Sequence, residues 1–205
     1  MIKTKNELKY YLECDKIALR AKTKKPRLFS DEIWRFEILL RKREYLSNLP
    51  QSSFFVVNLF RKIKAALLHF RYKHMQLRLG FSIPLNVFGP GLSIAHYGTI
   101  VVGEGAVIGA NCRIHEGVTI GATNGSSDAA HIGDNVFIGS GAKIIGGVKI
   151  SSNVAVAANA VVVNDVITES GCTVGGVPAR VISANTSYDN LVFATEIVDR
   201  NKFNL

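Results

Sequence analysis

The sequence predicts an α+β chain: an α-helical region over residues 1–80, a coil of short β-strands over 81–183, and a short tail or helix over 184–205. Two patterns and a charge division predict it. Apolar residues recur at helical spacing in the first part, and from Ile94 onward aliphatic residues recur every six. Residues 1–80 carry 19 Lys/Arg against 7 Asp/Glu, or +12, whereas residues 81–205 carry 6 against 9, or −3.

With 205 residues, 47% of them hydrophobic and 20% charged, the composition is that of an ordered globular protein. No apolar run reaches the roughly 18 residues of a membrane span, and the charged first residues lack the apolar middle of a signal peptide, so a cytoplasmic location is expected. Cys14, Cys112 and Cys172 are odd in number and far apart. They suggest neither a disulfide framework nor a zinc knuckle, and are expected as small buried hydrophobes.

The first helix opens with Thr4-Lys5-Asn6-Glu7, a capping box in which threonine and glutamate satisfy each other's orphan backbone donors. Leu8, Tyr11, Leu12 and Cys14 to Ala18 supply its apolar face. After a basic loop at 22–26, Ser30 is the expected N-cap of a second helix carrying Ile33, Trp34, Phe36, Leu39, Leu40 and Leu46. A third helix is expected over 54–79 with Gly80 as its C-cap. Its apolar residues are interleaved with Arg61, Lys62, Lys64, Arg71, Lys73 and Arg78. Such a basic amphipathic helix suits peripheral contact with a membrane or polyanion, and equally suits packing its apolar face on the neighbouring domain. No recognition motif accompanies the charge, so nucleic acid is not an expected partner.

In the second region Val102, Ile108, Ile114 and Ile120 lie six apart, and the frame resumes at Ile132, Ile138, Ile144, Ile150, Val156, Val162 and Val174. A period of six would send these positions around an α-helix, but it suits short strands joined by tight turns. Glycine and asparagine at the corners tolerate the left-handed φ this requires. The aliphatic-Gly-x-x-small-x pattern over 83–183 resembles the hexapeptide acyltransferases. That resemblance implies a left-handed parallel β-helix, a triangular prism of about three hexads per turn with strands roughly 4.8 Å apart.

Two breaks in the frame carry the chemistry. Ile94 and Val102 are eight apart, which places Ala95-His96-Tyr97-Gly98 on a turn with two extra residues. Between Ile120 and Ile132, residues 121–128 have no core anchor and are expected to leave the prism as a loop. Frame arithmetic stacks Ile94, Ile114 and Ile132 on one face. It therefore puts His96 over Glu116 with Asp134 one coil further, and Ala95 over His115.

The run Gly89-Pro90-Gly91-Leu92-Ser93-Ile94-Ala95-His96, the insertion after it, Gly121-Ala122-Thr123-Asn124-Gly125, Gly139-Ser140-Gly141-Ala142-Lys143-Ile144 and Val177-Pro178-Ala179-Arg180 resemble the serine acetyltransferase-like branch in order and spacing. The resemblance implies an O-acetyltransferase using acetyl-CoA, a homotrimer, and His96 as general base. An imidazole titrating near working pH suits that role. It further implies a cofactor groove lined by Gly121, Ala122, Ser140, Ala142 and Ala158, with Lys143 and Arg180 toward the phosphates. Glu116 is the candidate for orienting His96, with a backbone carbonyl as rival. His115 is expected to assist His96, to hold the acceptor, or to bond a corner carbonyl.

The chain also departs from that branch. Ala95 and about Ser82 stand where those enzymes carry aspartates, and no Arg-His pair appears near Asp128 and Ala129. A pocket lacking its cation for the serine carboxylate points to a sugar hydroxyl of a polysaccharide or lipid-linked glycan as acceptor, with L-serine as the alternative. A zinc site would need His96, His115 and His131 to converge, and their spacing does not resemble that of γ-type carbonic anhydrases; no metal is expected.

Overall fold

The structure, a computed structural model, describes residues 1–123, 126 and 128–203, the last three by backbone only. Helices α1 (Lys5–Ala18), α2 (Glu32–Asn48) and α3 (Phe55–Leu79) precede fourteen short strands and a last helix, α4 (Ala194–Phe203). Thr4 and Glu7 form the expected capping box at the start of α1. At α2 the cap differs: the N-cap is Asp31, not Ser30, and its carboxylate turns back to the Arg27 amide and guanidinium instead of the first-turn amides. Gly80 closes α3 in the left-handed conformation, φ 80°, with its amide bonded to the Gln76 carbonyl.

The repeat region winds into a left-handed prism with three faces. One face stacks β1 (Phe81–Ser82), β3 (Ile100–Val102), β6 (Thr119–Gly121), β9 (Lys143–Ile145) and β12 (Val161–Val162). A second stacks β4 (Val107–Ile108), β7 (His131–Ile132) and β10 (Lys149–Ile150). The third stacks β2 (Ser93–Ile94), β5 (Arg113–Ile114), β8 (Phe137–Ile138), β11 (Ala155–Val156) and β13 (Thr173–Gly175), closed by an antiparallel β14 (Arg180–Ser183). All other pairings between these strands are parallel.

Each aliphatic hexad position points inward, and Ile114, Ile120, Ile138, Ile144 and Val156 are fully buried. The prism is a dry column of branched side chains, each stacked on its counterpart one coil away. At one corner Asn111, Asn135 and Asn153 all adopt left-handed φ and form a side-chain ladder, 2.9 and 3.0 Å between rungs. Close approach of successive coils excludes side chains elsewhere: a Cβ on Gly139 would lie 2.7 Å from the Ala158 amide nitrogen.

One register expectation is corrected. Ile114 pairs with Ile138, and Ile132 pairs with Ile108 and Ile150. The loop consumes a whole hexad without advancing around the prism, so Ile132 opens the second face and not the third. Asp134 accordingly accepts from the Ala110 amide, a corner away from Glu116. Thr123, Ser126 and Asp128 of that loop lie exposed outside the prism, whereas Asn124, Gly125 and Ser127 lie outside the described residues.

The helical region is not a separate core. Phe36, Leu39, Leu40 and Tyr72 join the same buried cluster as the prism interior. Beside it Arg41, fully buried, bonds Asp15 at 2.7 and 3.2 Å, Glu44 at 3.0 Å and the Phe88 and Gly89 carbonyls. Asp15 in turn accepts the Gly91 and Leu92 amides. The expected C-terminal helix starts later, at Ala194, after a 3-10 turn over Tyr188–Asn190. It packs Ala194 and Val198 on Cys14 and Ala18 of α1, and its Thr195 exchanges hydrogen bonds with Asn111 at the prism corner. All three cysteines are buried and free of disulfides.

Candidate active site

The two-residue insertion after Ile94 makes a turn that stands clear of the prism. Ser93 and Ile94 pair with Arg113 and Ile114, and the Ala95 amide bonds the Ile114 carbonyl. Carrying this register forward puts Ala95 over His115 and His96 over Glu116, as the frame predicts. The His96 and His115 rings meet edge to face with centroids 5.6 Å apart, and the His115 Nδ1 lies 3.9 Å from a Glu116 carboxylate oxygen. Ligand atoms of His96, His115 and Glu116 all fall within 4.8 Å of one another.

Environment differentiates the three. His96 is exposed, while His115 is partly buried between His96 and Phe137. Burial, and after it the Arg113 charge, pull the His115 pKa below the usual histidine value. A hydrogen bond from Ser140 and one from its own backbone hold the Glu116 carboxyl below the usual carboxylate range. The Glu116 Oε2 that faces the His115 Nδ1 and the His115 Nε2 are both buried without a hydrogen-bond partner, so the cluster has donor and acceptor capacity to spare. Two imidazoles and a carboxylate also make a donor set suited to a divalent ion. His131 does not join it; it sits on the second face, exposed.

The third-face register extends to a column. With Ile114, Ile138 and Val156 stacked, His96, Glu116, Ser140 and Ala158 occupy one corner on four successive coils. Gly121 and Ala122 fall at the next corner, across the face of β3, β6 and β9, where the Gly121 carbonyl accepts the Gly146 amide. The expected cofactor residues thus line two separate edges of one chain. Two of them are corrected. Ala142 is fully buried, its methyl inside the prism and its backbone bonded to Gly139 and Thr119, so it lines no surface groove. Lys143 turns its ammonium onto the Gly117 carbonyl and, at 3.2 Å, the Thr119 hydroxyl, instead of outward. Arg180 is exposed on β14.

Several residues near the site carry no sequence motif. Arg113 bonds the Ser93 hydroxyl at 3.0 Å on the strand beneath the His96 turn, and Arg20 lies near enough for its charge to act on Arg113. A cavity of about 470 Å³ opens between the loop around Arg20 and Lys22, the start of α2, and Ala95 and Tyr97. Its acidic residues are already paired, Asp31 with Arg27 and Glu32 with Arg78. Glu37 accepts the Ile94 amide at 3.1 Å, two residues before His96, and its other oxygen is buried without a hydrogen-bond partner. Burial pushes its carboxyl well above the usual range, with the Asp15 charge adding to the shift. The available signal was a charge lodged within an apolar helix face: Glu37 between Phe36 and Leu39, and Asp15 beside Cys14.

Residues 129–164 match the bacterial transferase hexapeptide (six repeats) family, and residues 99–122 match the hexapeptide repeat of succinyl-transferase. A serine acetyltransferase of Synechococcus elongatus is 44% identical over 96 residues, covering 46% of this chain. The chain spans 38% of the length of that relative. The solved serine acetyltransferase of Neisseria gonorrhoeae is similar with TM-score 0.65 and 28% identity, over 89% of this chain and 68% of that one. That of Brucella abortus strain S19, in complex with coenzyme A, gives 0.62 and 28%, over 88% and 70%. Repeats on either side of the loop thus fall within the matched hexapeptide-repeat models, and over most of its length the chain is similar in fold to solved serine acetyltransferases.

Proposed function

We propose that this chain is an acetyl-CoA-dependent O-acetyltransferase, with His96 as general base and the cofactor held between neighbouring copies of a homotrimer. His96 takes the proton of an acceptor hydroxyl as its oxygen attacks the thioester carbonyl. The C–O bond forms, the C–S bond breaks, and the imidazolium returns the proton to the departing thiolate. The observation that carries this reading is the convergence of His96, His115 and Glu116 at the head of the corner column that continues through Ser140 and Ala158. Glu116 and His115 together supply the polarisation that the branch's own carboxylates provide elsewhere. Gly121 and Ala122 lie at a different corner, so a single groove with Ser140 and Ala158 needs two chains, which supports the trimer.

For the acceptor, the similarity to serine acetyltransferases favours L-serine over the sugar hydroxyl that the sequence departures suggest. The argument for a sugar was a missing cation. Arg113, two residues from His115, and Arg20 beside it supply positive charge from segments that no motif marks. A sugar acceptor keeps one observation in its favour: the cavity beside Ala95 and Tyr97, with Trp34 in its wall, is within the size range of sites for ligands much larger than serine.

The test follows free thiol release from acetyl-CoA by the protein and its His96→Ala variant, with L-serine and a saccharide panel as acceptors. Turnover that falls about 10²- to 10⁴-fold in the variant supports the base assignment. Turnover with serine alone supports the first acceptor, and turnover with a sugar alone supports the second. Undiminished turnover in the variant, or stoichiometric zinc bound through His96, overturns the assignment.

A further inference from the structure

We propose that the outer face of α3 docks the protein on an anionic lipid membrane, with the helix lying along the surface. One side of α3 is committed to the fold: its buried residues are Tyr72, Met75, Gln76 and Leu79, with Leu68 packed beside them and the Ala65 carbonyl accepting from Arg43. The opposite side carries Phe55, Leu59, Phe60, Ile63, Leu67 and Phe70, from 47% exposed at Leu59 to 78% at Phe55. These residues sit three or four apart, apart from the doubled Leu59 and Phe60, so they form one continuous apolar stripe along the helix. A contiguous stripe of this kind is rare on a surface that meets only water.

Charge decides what covers it. Besides Arg78, which pairs with Glu32 of α2, the helix holds Arg61, Lys62, Lys64, Arg71 and Lys73, and it carries no acidic residue. A second copy laid along α3 would bring like charges together over its length. A soluble polyanion would pair the cations but leave the phenyl rings in water. An anionic bilayer satisfies both, since the rings enter the acyl boundary while the long basic side chains reach the headgroups. At the start of α3 an apolar groove of about 370 Å³, lined by Leu46, Leu49, Pro50 and Phe55 with Arg61 and Lys62 at hand, extends the same combination. No helix among the described residues is long and apolar enough to cross a membrane, so the contact is peripheral.

The placement also orients the site. The Gly98 amide bonds the Leu79 carbonyl at 3.0 Å, and the Ile100 amide bonds that of Gly80 at 3.1 Å. The end of α3 is therefore tied to the turn bearing His96, and a chain docked along α3 holds that turn in a set position relative to the membrane.

The experiment sediments the full chain with vesicles of phosphatidylcholine alone and with added phosphatidylglycerol, at low and high salt. Binding to the anionic vesicles, weakened by salt, is expected. Removing two charges in Lys62→Gln/Lys64→Gln should lower partitioning about thirty-fold. Phe60→Ser/Phe70→Ser should abolish binding while circular dichroism and the mass from light scattering stay unchanged. No binding by the parent protein overturns the proposal. So does equal binding to neutral vesicles, or a change of assembly mass in the phenylalanine variant, which would make the stripe a contact between copies.

Discussion

At the residue scale, the surroundings of His115 favour its neutral form, while His96 stands exposed on its turn. Burial disfavours the charged imidazole of His115, and Arg113 next to it acts in the same direction. In a histidine NMR titration, His115 should therefore titrate below the ordinary value of about 6.5. Arg113→Met should move it upward, since a repelling charge is removed. A His115 that titrates at or above the ordinary value, or does not respond to Arg113, would remove the basis for treating it as the neutral partner of His96. Glu116 is placed to face both imidazoles, so Glu116→Gln should lower kcat with little change in the KM for acetyl-CoA, whose groove lies further down the column.

The helical elements are attached to the prism by buried charge as much as by apolar packing. Arg41 serves Asp15 and Glu44 and caps the Phe88 and Gly89 carbonyls, which lead into the strand before His96. Arg41→Met leaves these carboxylates buried without their cation and should cost about 3–5 kcal/mol in urea unfolding. Arg41→Lys cannot reproduce the forked contacts and should recover only part of that. Glu37 has no such cation of its own. Its folded pKa is raised, so the folded state keeps a proton that the unfolded chain releases above about pH 4.3. Stability contributed by the protonated form is then lost as pH rises from there toward the raised value, by at most about 1.4 kcal/mol per pH unit. Glu37→Gln keeps an acceptor for the Ile94 amide without the titration, and should flatten the fall in Tm as pH rises above about 4.3. An unchanged slope would place the proton elsewhere.

For the whole molecule, the proposed function, with its cofactor residues on two corners of one chain, makes oligomerisation a condition of activity. Light scattering should give three times the 22.4 kDa of one chain. A large side chain at the corner, as in Ala158→Trp, should raise the KM for acetyl-CoA with the acceptor KM unchanged. A monomer with full activity would contradict the shared groove. The prism tolerates such changes at its surface because its stability lies in the interior stack. Ile138→Ala, by contrast, opens a hole in a fully buried column and should cost about 2–5 kcal/mol.

Much of this architecture is legible in the chain itself, because local periodicity dictates it. A branched residue every sixth position, with asparagine and glycine at the corners, leaves the backbone a single way to bury its apolar side. The helices announce themselves by the Thr4 capping box and by Gly80. The pairing of His96 with His115 and Glu116 was legible too, since an insertion of two residues shifts a register by a countable amount. The course after the loop was not: whether residues 121–131 advance the coil or merely leave it depends on closure in space, and Asp134 was misplaced for that reason. Nor does the local sequence indicate that Arg41, Asp15 and Glu37 meet the strand before His96, or that Arg20 approaches Arg113. The bonds among them join segments up to 77 positions apart, and only packing of the helical region on the prism brings them together. The same packing decided which side of α3 is buried, a choice that an evenly apolar helix leaves open until its neighbours are in place.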